Sequence, residues 1–245
     1  MNFKKLGLLS VFALLVTFAL TTPVAAQRLP AAAGHGEGWI VLTYEGEFGP
    51  FESPATRKGG AVSFDFLATP DRAMLITDIS GDRQFAPGKL IGKSLSARIA
   101  INATPGATFN YYNTGGTAPA NVRLYFQRPN AAGCPPSSEF NPLFPQCEAQ
   151  YWWSNPLSIS LADLAASNNR QGVTLQALLS PEFWSDRDGH KGDSDANHIA
   201  WFNDAVANAN KIALSFGGGN NFAFGCGVDS PGQATFTLLK YQVVK

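Results

Sequence analysis

The chain has 245 residues, 45% of them hydrophobic and only 15% charged, with 18 basic side chains balanced by 18 acidic ones. A formal net charge of +0 and the lack of any basic block exclude the clustered cationic face that nucleic acid or an anionic membrane surface requires. The apolar share is enough for a full core, and sparse charge beside 24 glycines suits a sheet protein with polar, uncharged loops.

Lys4 and Lys5 precede an apolar run from Leu6 to Leu20, which ends in Thr21-Thr22-Pro23-Val24-Ala25-Ala26. A positive start, an apolar middle and small residues at the end form an export signal, cut after Ala26. The run is shorter than the roughly 20 apolar residues of a spanning helix, which weighs against a retained anchor. No Cys stands at the cut to take a lipid. Cleavage leaves 219 of the 245 residues, with 16 basic and 18 acidic groups, in a secreted, periplasmic or cell-surface protein that is not inserted in the membrane after processing. Residues 27–38 are rich in Ala and Gly and read as a flexible tether, leaving 39–245 as a single domain.

From Trp39 onward the hydrophobic period is two. Val62, Phe64 and Phe66 oppose Ser63 and Asp65; Leu95, Ala97, Ile99 and Ile101 oppose Ser94, Ser96 and Arg98. Val122, Leu124 and Phe126 alternate with Arg123 and Tyr125, and Leu157, Ile159 and Leu161 with Ser158 and Ser160. These are half-buried strands of an all-β, two-layer β-sandwich (jelly roll) with one or two short helices. Ile199, Phe202 and Val206 fall at helical spacing between Asp195 and Asn210, with Asp195 or Asn197 as cap; Leu161 to Ser167, capped by Ser160, is a shorter helical segment. Three strands close the sequence: Lys211 to Phe216, Phe222 to Val228 and Ala234 to Val243. In the last, Ala234, Phe236 and Leu238 share one phase and Leu239, Tyr241 and Val243 the other, so a β-bulge is expected near Leu238-Leu239.

Cys134 and Cys147 flank a proline-rich loop, and a disulfide closing it would contribute on the order of 3 kcal/mol. Cys226 alternates in phase with Phe222, Phe224 and Val228, so its thiol points into the core and is inert.

The segment from Asp186 to His198 gathers Ser, His and Asp, yet sequence proximity does not make a nucleophilic triad. His190 and His198 are eight apart, outside the spacings that set two imidazoles on one helix face or one zinc finger. Asp186, Asp188, Asp193 and Asp195, with Gly189 and Gly192 for sharp turns, have the hard oxygens of a calcium loop. The alternative, which is favoured over calcium, is a solvated acidic loop partly neutralised by Arg187 and Lys191. A glycosidase acid pair would have to come from Glu45, Glu47, Glu52 and Glu182.

The aromatic residues point to binding. In Tyr151-Trp152-Trp153-Ser154 the pleat sends Trp152 to the face opposite Tyr151 and Trp153, so a large ring faces away from the core. Trp152, Tyr125 and Tyr112 form the candidate platform on which a sugar ring would stack. Trp39, Trp184 and Trp201 are assigned to packing.

Tyr151-Trp152-Trp153-Ser154, Trp184, Phe202, Ile212-Ala213-Leu214-Ser215-Phe216-Gly217-Gly218, Phe224-Gly225-Cys226-Gly227-Val228 and Ala234-Thr235-Phe236-Thr237-Leu238 follow in order. This pattern resembles the laminin domain IV type of extracellular module and its bacterial jelly-roll relatives, which are similar to galactose-binding-like carbohydrate modules. The resemblance implies a non-catalytic module with calcium as a cofactor in some relatives. Their acidic residue in the last strand is replaced here by Leu239-Lys240-Tyr241. The expectation is an exported binding module for carbohydrate or another extracellular surface. A structural or adhesive envelope protein and a polysaccharide hydrolase are the alternatives.

Overall fold

The computed structural model describes residues 38–45, 48–58, 60–68, 72–78, 90–113, 116–128, 151–218 and 225–245. The expected export signal, the tether as far as Glu37, and Cys134 and Cys147 with their expected disulfide lie outside the described residues.

The alternating segments form strands β1 (Gly38–Glu45), β2 (Phe48–Pro54), β3 (Thr56–Lys58), β4 (Ala61–Asp65), β5 (Arg72–Asp78) and β6 (Ser94–Ala103). There follow β7 (Phe109–Asn113), β8 (Gly116–Pro119), β9 (Asn121–Gln127), β10 (Tyr151–Ser154), β11 (Ile159–Ser160), helix α1 (Leu161–Ala166) and β12 (Val173–Leu178). A 3₁₀ turn at Pro181–Phe183 leads into β13 (Trp184–Ser185), then helix α2 (Ala196–Ala207), β14 (Lys211–Gly217), β15 (Gly227–Val228) and β16 (Ala234–Val244).

One sheet runs β13-β10-β9-β14-β5-β1-β2, with β11 also paired to β9; the second runs β12-β6-β16-β4-β3. A small third sheet has the order β15-β7-β8. Val122, Leu124 and Phe126 of β9 are buried in one cluster with Leu95, Ile99 and Phe236 of the second sheet, as two packed layers require. Phe64, Phe216 and Phe236 sit at its centre, Phe216 meeting Phe64 at 5.5 Å and 80° and Phe236 at 5.0 Å and 82°. Such edge-to-face pairs add about 0.5–1.5 kcal/mol each beyond the area they bury. The fold is the all-β sandwich with short helices that the period of two implies.

The register of β16 against β6 shifts between Leu238 and Lys240, the position of the expected bulge. Two residues three apart on a regular strand face opposite ways; here Leu238 and Tyr241 are both 0% exposed. β6 departs from simple alternation, since Ser94 and Ser96 are buried along with Leu95 and Ala97. It is an inner strand, with Gln176 of β12 and Gln242 of β16 on either side of Ser96.

Both helices form where expected. The Ser160 hydroxyl accepts from the Asp163 N–H at 3.2 Å to start α1. Asp195 caps α2, accepting from the N–H groups of Asn197 at 2.8 Å and His198 at 3.0 Å. The helix reaches the core through its later turns: Phe202 and Val206 are buried, whereas Ile199, expected on the same stripe, is 39% exposed. The Phe202 ring lies 5.0 Å from Trp152 and 5.8 Å from Phe126, which fixes α2 beneath the β9–β10 end of the first sheet.

Candidate metal centre

The expected stacking platform does not assemble. Trp152 is 0% exposed and faces inward, and a ring with no accessible face cannot stack on a sugar. Tyr125 is on the opposite face of the same sheet, where it forms a separate buried cluster with Trp153 and Ala213, flanked by half-buried Ile40, Leu42 and Tyr151. The pleat explains the split: Trp152 pairs with Phe126, Trp153 with Tyr125. Tyr112 belongs to β7 in the third sheet; its side chain is outside the described residues. Trp39 and Trp184 pack in the core as expected, and Trp201 packs against it half-buried.

Of the glycosidase candidates, Glu52 is on β2 and Glu182 on the 3₁₀ turn beside β13, at opposite ends of the first sheet, so they are not paired. Glu47 and the side chain of Glu45 are outside the described residues. The Ser194 hydroxyl donates to the Lys191 carbonyl at 2.8 Å, which leaves it no role as a nucleophile activated by histidine.

A different group does converge, in the connection from β13 to α2. The chain leaves β13 at Asp186 and turns back at once, the Asp186 N–H donating to the His190 carbonyl at 3.0 Å. Asp186 Oδ1 accepts from the N–H groups of Asp188 at 3.0 Å and His190 at 2.9 Å, an aspartate stabilising its own turn. Gly189, at φ 86°, supplies the left-handed residue the turn needs. Ser185 then bridges to Lys191, and the Gly192 N–H donates to the Trp184 carbonyl at 3.0 Å. This miniature hairpin delivers the chain to the Asp195 cap, and the first turn of α2 brings His198 over Asp186.

Asp186 Oδ2 consequently lies 3.5 Å from His190 Nδ1 and 3.5 Å from His198 Nε2. Among the described residues, these three are the one group of His, Cys, Asp or Glu side chains whose ligand atoms all lie within 4.8 Å of one another. His198 Nδ1 is 2.8 Å from Asp195 Oδ2. An ionised carboxylate only accepts, so Nδ1 donates to Asp195, and Nε2 is the ring nitrogen left on the Asp186 side. Trp201, edge-on to His198 at 5.0 Å and 68°, backs the ring.

Asp186 is 3% exposed, and burial raises its carboxyl above the ordinary range. The His190 N–H and the imidazoles pull it back, while the neighbouring Asp188 charge adds to the rise. Asp195 is instead held below the ordinary range by hydrogen bonds from His198, the backbone N–H first and then the ring. Lys191 does not neutralise the group, because its ammonium donates to the carbonyls of Asn155 and Glu182. One carboxylate oxygen and two imidazole nitrogens converge on a single point, and a divalent cation is a group that all three could bind there.

The geometry changes both metal expectations. The four aspartates do not form a calcium cage: Asp195 is spent on the helix and His198, and neither Asp188 nor Asp193 belongs to the convergent group. The histidines, set aside for their spacing of eight, are brought together because one sits on a turn and the other on a helix. Comparison with family models, curated proteins and solved structures finds no match. The site therefore rests on its own chemistry.

Proposed function

We propose that this protein is an exported, non-catalytic β-sandwich binding module that holds a divalent metal ion on Asp186, His190 and His198 and uses it to recognise an extracellular surface. The observation that carries this reading is the buried Asp186 carboxylate, its Oδ2 3.5 Å from a nitrogen of each histidine. Three protein donors leave a four-coordinate metal one position for a water or an outside ligand. Support for export comes from the Lys4-Lys5 start, the apolar run and the small residues ending at Ala26. The likeness to laminin domain IV and galactose-binding-like modules belongs to the same proposal. The test is equilibrium dialysis of chelator-treated residues 27–245 against Zn²⁺, followed by elemental analysis. One ion per chain, lost in His198→Ala, is expected; a wild-type chain that retains none refutes the reading.

A second reading, direct glycan stacking on Tyr151, is favoured by one contact on the face of the first sheet opposite Trp152. There the half-buried Tyr151 lies 6.4 Å from Trp153 at an interplanar angle of 29°. Glycan binding that survives metal removal and is lost in Tyr151→Ala would select it.

A further inference from the structure

We infer that the centre is a four-coordinate site for a borderline transition ion such as Zn²⁺, with three donors from this chain and the fourth a carboxylate or imidazole from a partner protein, and that Asp195 holds His198 in the tautomer that can bind it. This rests on the metal-binding reading above and adds the geometry, the class of outside donor and a positioning residue.

Two of the three donor separations fit a tetrahedral ion, and the two histidine nitrogens lie within 4.8 Å of each other. Donors about 2.0–2.2 Å from a tetrahedral ion lie about 3.4 Å apart. Adjacent donors on an octahedral ion such as Mg²⁺, at about 2.1 Å, lie about 3.0 Å apart. Both separations from Asp186 Oδ2 are 3.5 Å, the tetrahedral value. The donor set agrees, since two imidazole nitrogens and one carboxylate oxygen suit Zn²⁺ and its neighbours rather than the all-oxygen preference of Ca²⁺ or Mg²⁺. Asp186 can give only one oxygen, because Oδ1 is occupied by two backbone N–H groups.

The fourth position opens outward. The Asp186 side chain is 4% exposed and that of His198 14%, whereas that of His190 is 59% exposed, so the group is buried on one side and wet on the other. A borderline ion held this way prefers an anionic oxygen or an imidazole nitrogen to a neutral hydroxyl. Recognition through the ion is therefore directed at acidic or histidine side chains rather than at sugar hydroxyls.

Asp195 acts through His198. Its Oδ1 caps α2 and its Oδ2 receives the His198 Nδ1 proton, so one carboxylate both starts the helix and aims the ligand. Asn caps as well as Asp does. In Asp195→Asn the two backbone N–H groups keep the amide oxygen at the cap and turn the amide NH₂ toward His198 Nδ1. Nδ1 must then accept, the proton moves to Nε2, and the metal-binding lone pair is lost.

The experiment is titration of chelator-treated residues 27–245 with Co²⁺, read by visible absorption, with Zn²⁺ as competitor. Wild type should give the intense bands of four-coordinate Co²⁺, erased by Zn²⁺ and shifted by acetate or imidazole but not by a neutral polyol. Asp195→Asn should keep the apo melting temperature and bind about 10- to 100-fold more weakly. Asp195→Ser, which caps but is too short to reach the ring, should do the same. Metal bound with the faint spectrum of six-coordinate Co²⁺ overturns the coordination while the metal-binding reading stands. A response to the polyol alone overturns the donor class, and wild-type affinity in Asp195→Asn overturns the role of Asp195. No metal bound by wild type at all removes the underlying reading instead.

Discussion

Trp152→Ala separates a ring that builds the core from a ring that binds. Trp152 is 0% exposed, pairs with Phe126 across the strand and stands perpendicular to Phe202 at 5.0 Å. A buried indole removes roughly 200 Å² from water, worth about 5 kcal/mol at about 25 cal/mol per Å². Alanine retains part of that, and the cavity left under α2 subtracts more, so the loss should be about 3–5 kcal/mol. In a chain of this size each kcal/mol moves the melting temperature by about 2–4 °C, so the variant should melt about 6–20 °C below wild type. Circular dichroism during heating, with a urea titration beside it, measures this directly. Tyr151→Ala, on the outer face, serves as control and should cost far less. A Trp152→Ala protein that melts within about 2 °C of wild type would refute the inward placement and return the ring to the list of binding residues.

Three further outcomes are expected. Zn²⁺ at about 100 times its dissociation constant should stabilise the fold by about 2.7 kcal/mol, a rise of about 5–11 °C that a chelator reverses and His190→Ala abolishes; differential scanning fluorimetry reads it. Gly192→Ala should weaken metal binding in a dialysis assay, because a Cβ there would come 2.8 Å from the Pro181 carbonyl oxygen and push the hairpin off the 3₁₀ turn; unchanged affinity would show that the hairpin does not position His190. Cys226, wholly buried, has its thiol pushed well above the ordinary range, so alkylation followed by peptide mass spectrometry should leave it unmodified in native protein and modify it in denaturant.

The fold was legible because burial in a sandwich is written at a period of two. The inward set of β9, the caps at Ser160 and Asp195, the buried Cys226 and the bulge near Leu238 all follow from local pattern, since each depends on residues within one turn or one strand. Which side of β10 faces the core was not local. Tyr151-Trp152-Trp153 is aromatic on both faces, and only its pairing with Phe126 and contact with Phe202 decide that Trp152 goes in. The metal centre was hidden for a related reason. A spacing of eight is uninformative when one histidine sits on a turn, the other on a helix, and the carboxylate at the end of a strand. The available signals were an aspartate cap with His198 three residues on, and two glycines that fold the intervening chain back.

The far edge of the first sheet bears on how the molecule behaves at high concentration. Among the described residues β2 is its last strand, and Phe51 there is 50% exposed, the kind of sticky margin onto which another copy could add a strand. The Ala55 N–H donates inward to the Trp39 carbonyl, so along the regular stretch before the register shift the alternate positions 54 and 52 turn outward. Pro54 has no amide hydrogen to offer, and Glu52 is exposed. A docking strand loses the amide donor of Pro54 and meets the Glu52 carboxyl along that border, and both disfavour the addition of a further strand.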